Sequence, residues 1–316
     1  MKPIGGYFEL EFREGEHYHK NAIRLSTARQ CLEYILLARG YKKINVPYYT
    51  CSALLEPIKK LGIEYNFYPI NETLEPIFDK TLDNDEALLY TNYFGLKQGT
   101  ILSLSKQYKN LIVDNAQAFF APPVKHTDTF YSARKFFGVP DGAYLYTDCP
   151  LNQKFPPYIP DSHARHLVGR LSQTPEMYYN DYQESEYAFS NMEIHSMSVL
   201  SEHVLKALDY QQIIQRRRDN YMLLSRQLNN RNKIKFDISS TDDVPMVYPF
   251  WSDQKNLRQH LISQKIFIPK YWQDVLEWTS TGQGIETELA ERLYPIPIDQ
   301  RYKEKEMNYI IDHILE

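Results

Sequence analysis

The chain is short of three things that would each mark a function class. Cysteine is scarce: Cys31, Cys51 and Cys149 are the whole supply in 316 residues. They are odd in number and scattered, so neither a disulfide framework nor a cysteine metal site is indicated. A reducing compartment is expected. A basic excess is missing too. The net charge is −4 and the pI about 6.2, which argues against a nucleic-acid partner. Long apolar runs are also absent, none approaching the ~18 residues of a membrane span. The opening MKPIGGYFELEFREGEHYHK has acids where a signal peptide needs an apolar run. A soluble, cytoplasmic protein is expected, without nucleic-acid or membrane partners.

What is present suits a globular enzyme or binding protein. Hydrophobic content is 43%, enough for a packed core. The length fits a large domain with a smaller one. Tyrosine is unusually frequent, at 26 residues. Its amphipathic ring suits a subunit contact or a polar ligand cleft.

Strands and helices alternate along the first half. Ala28 to Ala38 has helical apolar spacing and stops at Gly40. Ser52 to Leu61 is a second helix, ended by Gly62, and Ile101 to Tyr108 a third. Strands are expected at KINVP (Lys43 to Pro47), Ile63 to Ile70, ALLYT (Ala87 to Thr91), LIV (Leu111 to Val113), Thr129 to Tyr131 and Ala143 to Thr147. Several are apolar on both faces, the mark of a mostly parallel sheet covered by helices. Leu151 to Asn191 is polar, Pro- and Tyr-rich and irregular. Glu193 to Leu228 is one long helix or two end to end, with QRRRD (Gln215 to Asp219) as a solvated basic face. Beyond it a small α+β domain is expected, with strands MVYPF (Met246 to Phe250) and IFIP (Ile266 to Pro269), a helix over Gln254 to Gln264 and a terminal helix from Lys303. The division falls near residue 210, giving 1–210 and 211–316.

Chemistry concentrates where the strands end, because ligands of such sheets bind outside the carboxyl ends. FYSARKFFGVPDGAYLYT places Lys135 a few residues after a strand, with Ser132 before it and a Gly-rich turn behind. Asp114 follows Leu-Ile-Val directly, and one short crossing separates it from the strand before Lys135. An amine and a carboxylate at one sheet edge form either a buried salt bridge or a pyridoxal phosphate site. In the second case the lysine forms a Schiff base and the acid holds the ring nitrogen protonated. A phosphate also needs a holder, and the helix start Leu25-Ser26-Thr27-Ala28-Arg29 offers one. Ser or Thr there is equally an ordinary cap.

These motifs in this order resemble the fold-type-I pyridoxal-phosphate enzymes, and among them the DegT-type sugar aminotransferases. INVPYYT (Ile44 to Thr50), TNYFG (Thr91 to Gly95), DNAQA (Asp114 to Ala118), YSARKFFGVPDGAYL and ETELAERLYPIPI are each similar to segments of that family. The resemblance implies an α/β, fold-type-I PLP-transferase-like fold: a mostly parallel sheet covered by helices, with a smaller C-terminal α+β domain. It implies pyridoxal 5'-phosphate as cofactor, with Lys135 as the Schiff-base lysine. Asp114 would sit on the pyridine nitrogen, Gln117 near the ring hydroxyl and Ser132 on the phosphate. The family's Ser-Gly-Thr phosphate turn is Thr27, Ala28 and Arg29 here, and its ring-stacking aromatic is Cys51. Its Asn-Tyr-Arg segment is Phe189-Ser190-Asn191. Tyr93 would touch the ring or the substrate. The implied reaction moves nitrogen from an amino donor to a keto group, on a nucleotide-linked sugar used in surface polysaccharide or sugar biosynthesis. A homodimer is implied with it. Three other readings stay open: a lyase or dehydratase on the same fold, a non-catalytic binding protein, and a metal enzyme using His17 and His19. For the last, HYHK reads more simply as a solvated polar stretch, and no metal is expected.

Overall fold

The computed structural model describes residues 4–279 and 284–316. The alternation read from the sequence becomes β1 (Ile23–Leu25), α1 (Ala28–Arg39), β2 (Lys43–Pro47), α2 (Leu55–Lys60), β3 (Glu64–Tyr68), β4 (Glu86–Thr91), α3 (Gln98–Gln107), β5 (Leu111–Asn115), β6 (Asp128–Ser132) and β7 (Ala143–Tyr146). Seven strands form one sheet in the order β1-β7-β6-β5-β4-β2-β3. The neighbours from β3 through β6 run parallel. Only β7 is reversed, antiparallel to both β6 and β1.

Every residue of β4, β5 and β6 is buried. The reason is period-2 alternation with apolar side chains on both faces. Ala87, Leu89 and Ile112 pack against Cys31, Leu32 and Ile35 of α1. Leu88, Tyr90 and Val113 point the other way, into a core shared with the C-terminal half. Gly40 closes α1 in the left-handed conformation at φ 67°, its N–H on the Leu36 carbonyl, the usual reason for glycine there.

The remaining elements are α4 (Arg165–Gly169), α5 (Tyr179–Tyr187), α6 (Val199–Lys206), α7 (Tyr210–Leu228), β8 (Val247–Trp251), α8 (Leu257–Ser263), α9 (Val275–Trp278), α10 (Ile285–Arg292), β9 (Leu293–Pro297) and α11 (Glu304–Leu315). Four expectations change. Leu151 to Asn191 is not irregular throughout, since it carries α4 and α5. The long helix starts at Val199, capped by Ser198, and is broken before α7, which Asp209 caps by accepting from the Gln212 N–H. Ile266 to Pro269 is not a strand; the partner of β8 is β9. That pairing sets Pro249 opposite Pro295, which a two-stranded sheet tolerates because each strand has a free edge.

The fourth change concerns charge. QRRRD is not all solvated: Arg217 is fully buried. Its guanidinium lies over the Phe136 ring at 4.5 Å and donates to the Met246 carbonyl at 3.0 Å and to Gln300 Oε1 at 3.0 Å. HYHK is buried at its histidines as well. His19 Nε2 lies 2.7 Å from the Phe119 carbonyl, and its Nδ1 lies 3.2 Å from the Tyr146 hydroxyl. His17 Nδ1 lies 2.7 Å from the Tyr144 hydroxyl. Burial holds both imidazoles down at about 4, so they are neutral.

Candidate active site at the sheet edge

A cavity opens where β4, β5 and β6 end and α1 begins. Parallel pairing sets Thr91 opposite Asp114. Asp114 in turn aligns with Phe130, two residues before Ser132. A single turn of 3-10 helix, Ala133–Lys135, then carries Lys135 to the cavity. Register alone thus brings Asp114, Ser132 and Lys135 to one edge.

Asp114 is buried. Burial pushes its carboxyl up to about 6, against the Ala116 amide and the charge of Lys135, which pull it down. The Ala116 N–H donates to Oδ1 at 2.8 Å. Lys135 is exposed to the cavity. Among the described residues it forms no ion pair and no hydrogen bond, so the plain salt bridge with Asp114 is not made. The Thr91 hydroxyl is buried beside Asp114 and also helps to hold its carboxyl down. An acid raised towards neutrality and an unpaired amine in one cavity are what a bound polar group would complete.

The other expected contacts are also drawn together. Thr27, Ala28, Arg29, Cys51, Gln117 and Ser132 all line the cavity. Thr27 caps α1 by accepting from the Gln30 N–H at 3.3 Å. The first turn of α1 carries no acid, so its end presents N–H groups and positive dipole to an anion. Arg29 Nη1 lies 3.6 Å from Glu56 Oε2, an ion pair too long for a hydrogen bond. Gln117 accepts the Phe94 N–H at 3.0 Å, and that bond holds Phe94 at φ 58°. Cys51 is half-buried.

Tyr93 is the exception. It is fully buried, does not line the cavity, and donates its hydroxyl to the Tyr49 carbonyl at 2.9 Å. Its ring lies near Tyr49 and Trp272. The TNYFG turn drives the side chain into the core, so a substrate contact through Tyr93 is corrected to a packing role.

Among the cavity residues that the sequence did not mark as site residues are Arg134, Glu186, Tyr271 and Trp272, and Phe189 of the Phe189-Ser190-Asn191 segment lines the cavity with them. Arg134 pairs with Glu186 of α5 and lies over the Phe189 ring at 4.5 Å. Burial pushes the Glu186 carboxyl up, yet the Arg134 charge and hydrogen bond outweigh it and hold the group below the usual carboxylate range. Phe189 backs the Arg134 guanidinium at the cavity wall. Trp272, at φ 49°, packs edge-on against Tyr49 with ring centroids 4.5 Å apart. The Gly-Val-Pro-Asp-Gly turn behind Lys135 is anchored by buried Asp141, which accepts from the Ser198 N–H at 2.8 Å and from the Ser198 and Ser201 hydroxyls.

No protein-family pattern matches the chain, and no curated protein does. Solved structures do. A Streptococcus pneumoniae protein described as a sugar aminotransferase, in its PLP form, is 15% identical with a TM-score of 0.65, covering 92% of this chain and 85% of that one. S. venezuelae DesV, in complex with a ketimine intermediate, is 17% identical at a TM-score of 0.64, over 93% and 83% of the two chains. E. coli GDP-4-keto-6-deoxy-D-mannose-3-dehydratase, with bound hydrated PLP, is 13% identical at 0.63, over 92% and 87%. Likeness at this identity concerns the backbone, and by it the chain has the fold-type-I fold of the pyridoxal-phosphate sugar enzymes.

Proposed function

We propose that this protein is a pyridoxal-phosphate-dependent aminotransferase acting on a keto sugar. The observation that carries the reading is the unpaired Lys135 amine in a cavity that also holds buried Asp114 and the N-terminus of α1. The donor set fits the cofactor: an amine for the aldehyde, an acid for the ring nitrogen, and helix N–H groups with the Ser132 hydroxyl for the phosphate. Pyridoxal phosphate would supply an electron-accepting ring beside the substrate's α-carbon. The chain's residues would do the rest. Lys135 Nζ takes and returns a proton as general base and acid. Asp114 keeps a proton on the ring nitrogen by presenting a carboxylate from a low-dielectric site. Thr27 to Arg29 and Ser132 fix the phosphate end, and Gln117 borders the ring.

The amino donor is a small amino acid such as glutamate, and the acceptor a nucleotide-linked keto sugar used in surface polysaccharide or sugar biosynthesis. A homodimer is part of the proposal. Ile159, Leu171, Met177 and Tyr187, on the segment that also supplies Glu186 and Phe189, are large apolar side chains left exposed, as residues of a subunit contact would be. So is a division into 1–210 and 211–316. Among the described residues no helix is long and apolar enough to cross a membrane, and a cytoplasmic site of action is proposed. A dehydratase on the same fold is the second reading, supported by the E. coli likeness.

The test is the absorbance spectrum of purified protein with added pyridoxal phosphate, then borohydride reduction and peptide mass spectrometry. A visible imine band, trapped on Lys135 and absent in Lys135→Ala, is expected. No band and no adduct would remove the enzyme reading and leave a binding protein. If a band forms, varying donor and acceptor separately distinguishes amino transfer from dehydration.

A further inference from the structure

Arg134 stands next to Lys135 in sequence and lines the same cavity. Its guanidinium is under-used. Among the described residues it has one hydrogen-bonding partner, Glu186, reached through Nη2. The neighbouring Nε–H is buried without a hydrogen-bond partner among the described residues. Nε and Nη2 form one edge of the planar fork, the edge that matches both oxygens of a carboxylate or a phosphate. Nη2 thus already serves a carboxylate, while the Nε–H of that edge serves none among the described residues. The Phe189 ring behind the guanidinium at 4.5 Å fixes its plane. Arg29, the other guanidinium at the cavity, lies 3.6 Å from Glu56, and its Nη1 is likewise without a hydrogen bond among the described residues; it stands at the start of α1, whereas Arg134 adjoins Lys135 in the chain.

We propose that Arg134 is an oxyanion subsite of this cavity, and that Glu186 is the internal carboxylate which an incoming oxyanion displaces. The ligand group is a carboxylate or a phosphate, presented within reach of the Lys135 amine. It comes either from an amino-acid donor or from the diphosphate of a nucleotide-linked acceptor. An oxyanion on the Nε–Nη2 edge comes to lie beside the Glu186 carboxylate that Nη2 now serves, and like-charge repulsion there favours displacement of Glu186. Glu186 sits on α5, so binding at Arg134 is coupled to the position of the 151–191 segment. The inference rests on the proposed function for the identity of its ligand, and not for the subsite itself.

Isothermal titration calorimetry of the full chain with glutarate and, separately, with pyrophosphate tests it. Folding of every variant is checked by circular dichroism. Glu186→Gln removes the competing charge and should tighten binding about tenfold, a change of ~1.4 kcal/mol. Arg134→Lys keeps a cation for Glu186 but loses the fork, and should weaken binding about tenfold. Arg134→Gln should weaken it further. If that variant fails to fold, the other two decide the question. A response with glutarate alone assigns the subsite to the amino donor, and one with pyrophosphate alone to the acceptor. Unchanged affinity for both probes in Arg134→Lys, or unchanged or weaker binding in Glu186→Gln, would overturn the proposal. An imine on Lys135 with no such response would sink the subsite and leave the enzyme reading intact. The response without an imine would do the reverse.

Discussion

Asp114 and Lys135 stand at the ends of neighbouring parallel strands, face one cavity, and do not pair with each other. Asp114 meets the Ala116 amide instead, and Lys135 has no partner among the described residues. A buried acid and an amine held apart are poised for a third group between them, and the consequences are measurable.

Asp114→Asn should stabilise the cofactor-free protein at neutral pH while weakening cofactor binding. The folded-state carboxyl is raised to about 6 from an ordinary 3.8. Its burial therefore costs nothing below about pH 4, where it is protonated in both states. The cost grows as pH rises through 6, to on the order of 2–3 kcal/mol. Thermal melts should show the variant above wild type at pH 8 and level with it at pH 4. Equal melting temperatures at both pH values would count against the buried charge.

His17 and His19 should make the protein acid-sensitive. Both have folded-state values depressed to about 4 from 6.5. Their contribution is fully present above pH 6.5 and is lost as pH falls from there towards 4. Urea midpoints should fall across that window, and His19→Gln should flatten the fall. An unchanged slope in the variant would show that the loss comes from other groups.

Arg217→Ala should destabilise the protein by about 3 kcal/mol or more. It removes a fully buried side chain and strands the carbonyl groups it serves. Denaturant unfolding measures the loss. A cost below about 1 kcal/mol would fit the solvated face that the QRRRD pattern suggests.

Gly95→Ala should cost about 1–3 kcal/mol. Gly95 has φ 76°, and an added Cβ would lie 3.1 Å from the Val244 carbonyl oxygen and 3.3 Å from that of Gln117. The same strain sits beside the Gln117–Phe94 bond, so cofactor affinity should fall with stability. A melt and a cofactor titration on one preparation check both.

Much of this was written locally. Helix stops at Gly40 and Gly62, alternation through β4 and β5, and the placing of Asp114, Ser132 and Lys135 all follow from short-range periodicity, and a parallel register turns those positions into one edge. Short apolar runs did not carry that information. Ile266 to Pro269 and Leu293 to Pro297 are both compatible with a strand, and only competition for β8 chose the second. Charge was equally mute: HYHK and QRRRD look solvated, because sequence does not show which polar groups later find Phe119, Tyr144 or Met246 as partners. Glu186, Phe189, Tyr271 and Trp272 reach the cavity from segments far along the chain. Local pattern thus determined the sheet and the residues at its edge. Long-range packing alone decided which neighbours close over them, and that among the described residues Lys135 has no partner while Arg134 beside it meets Glu186.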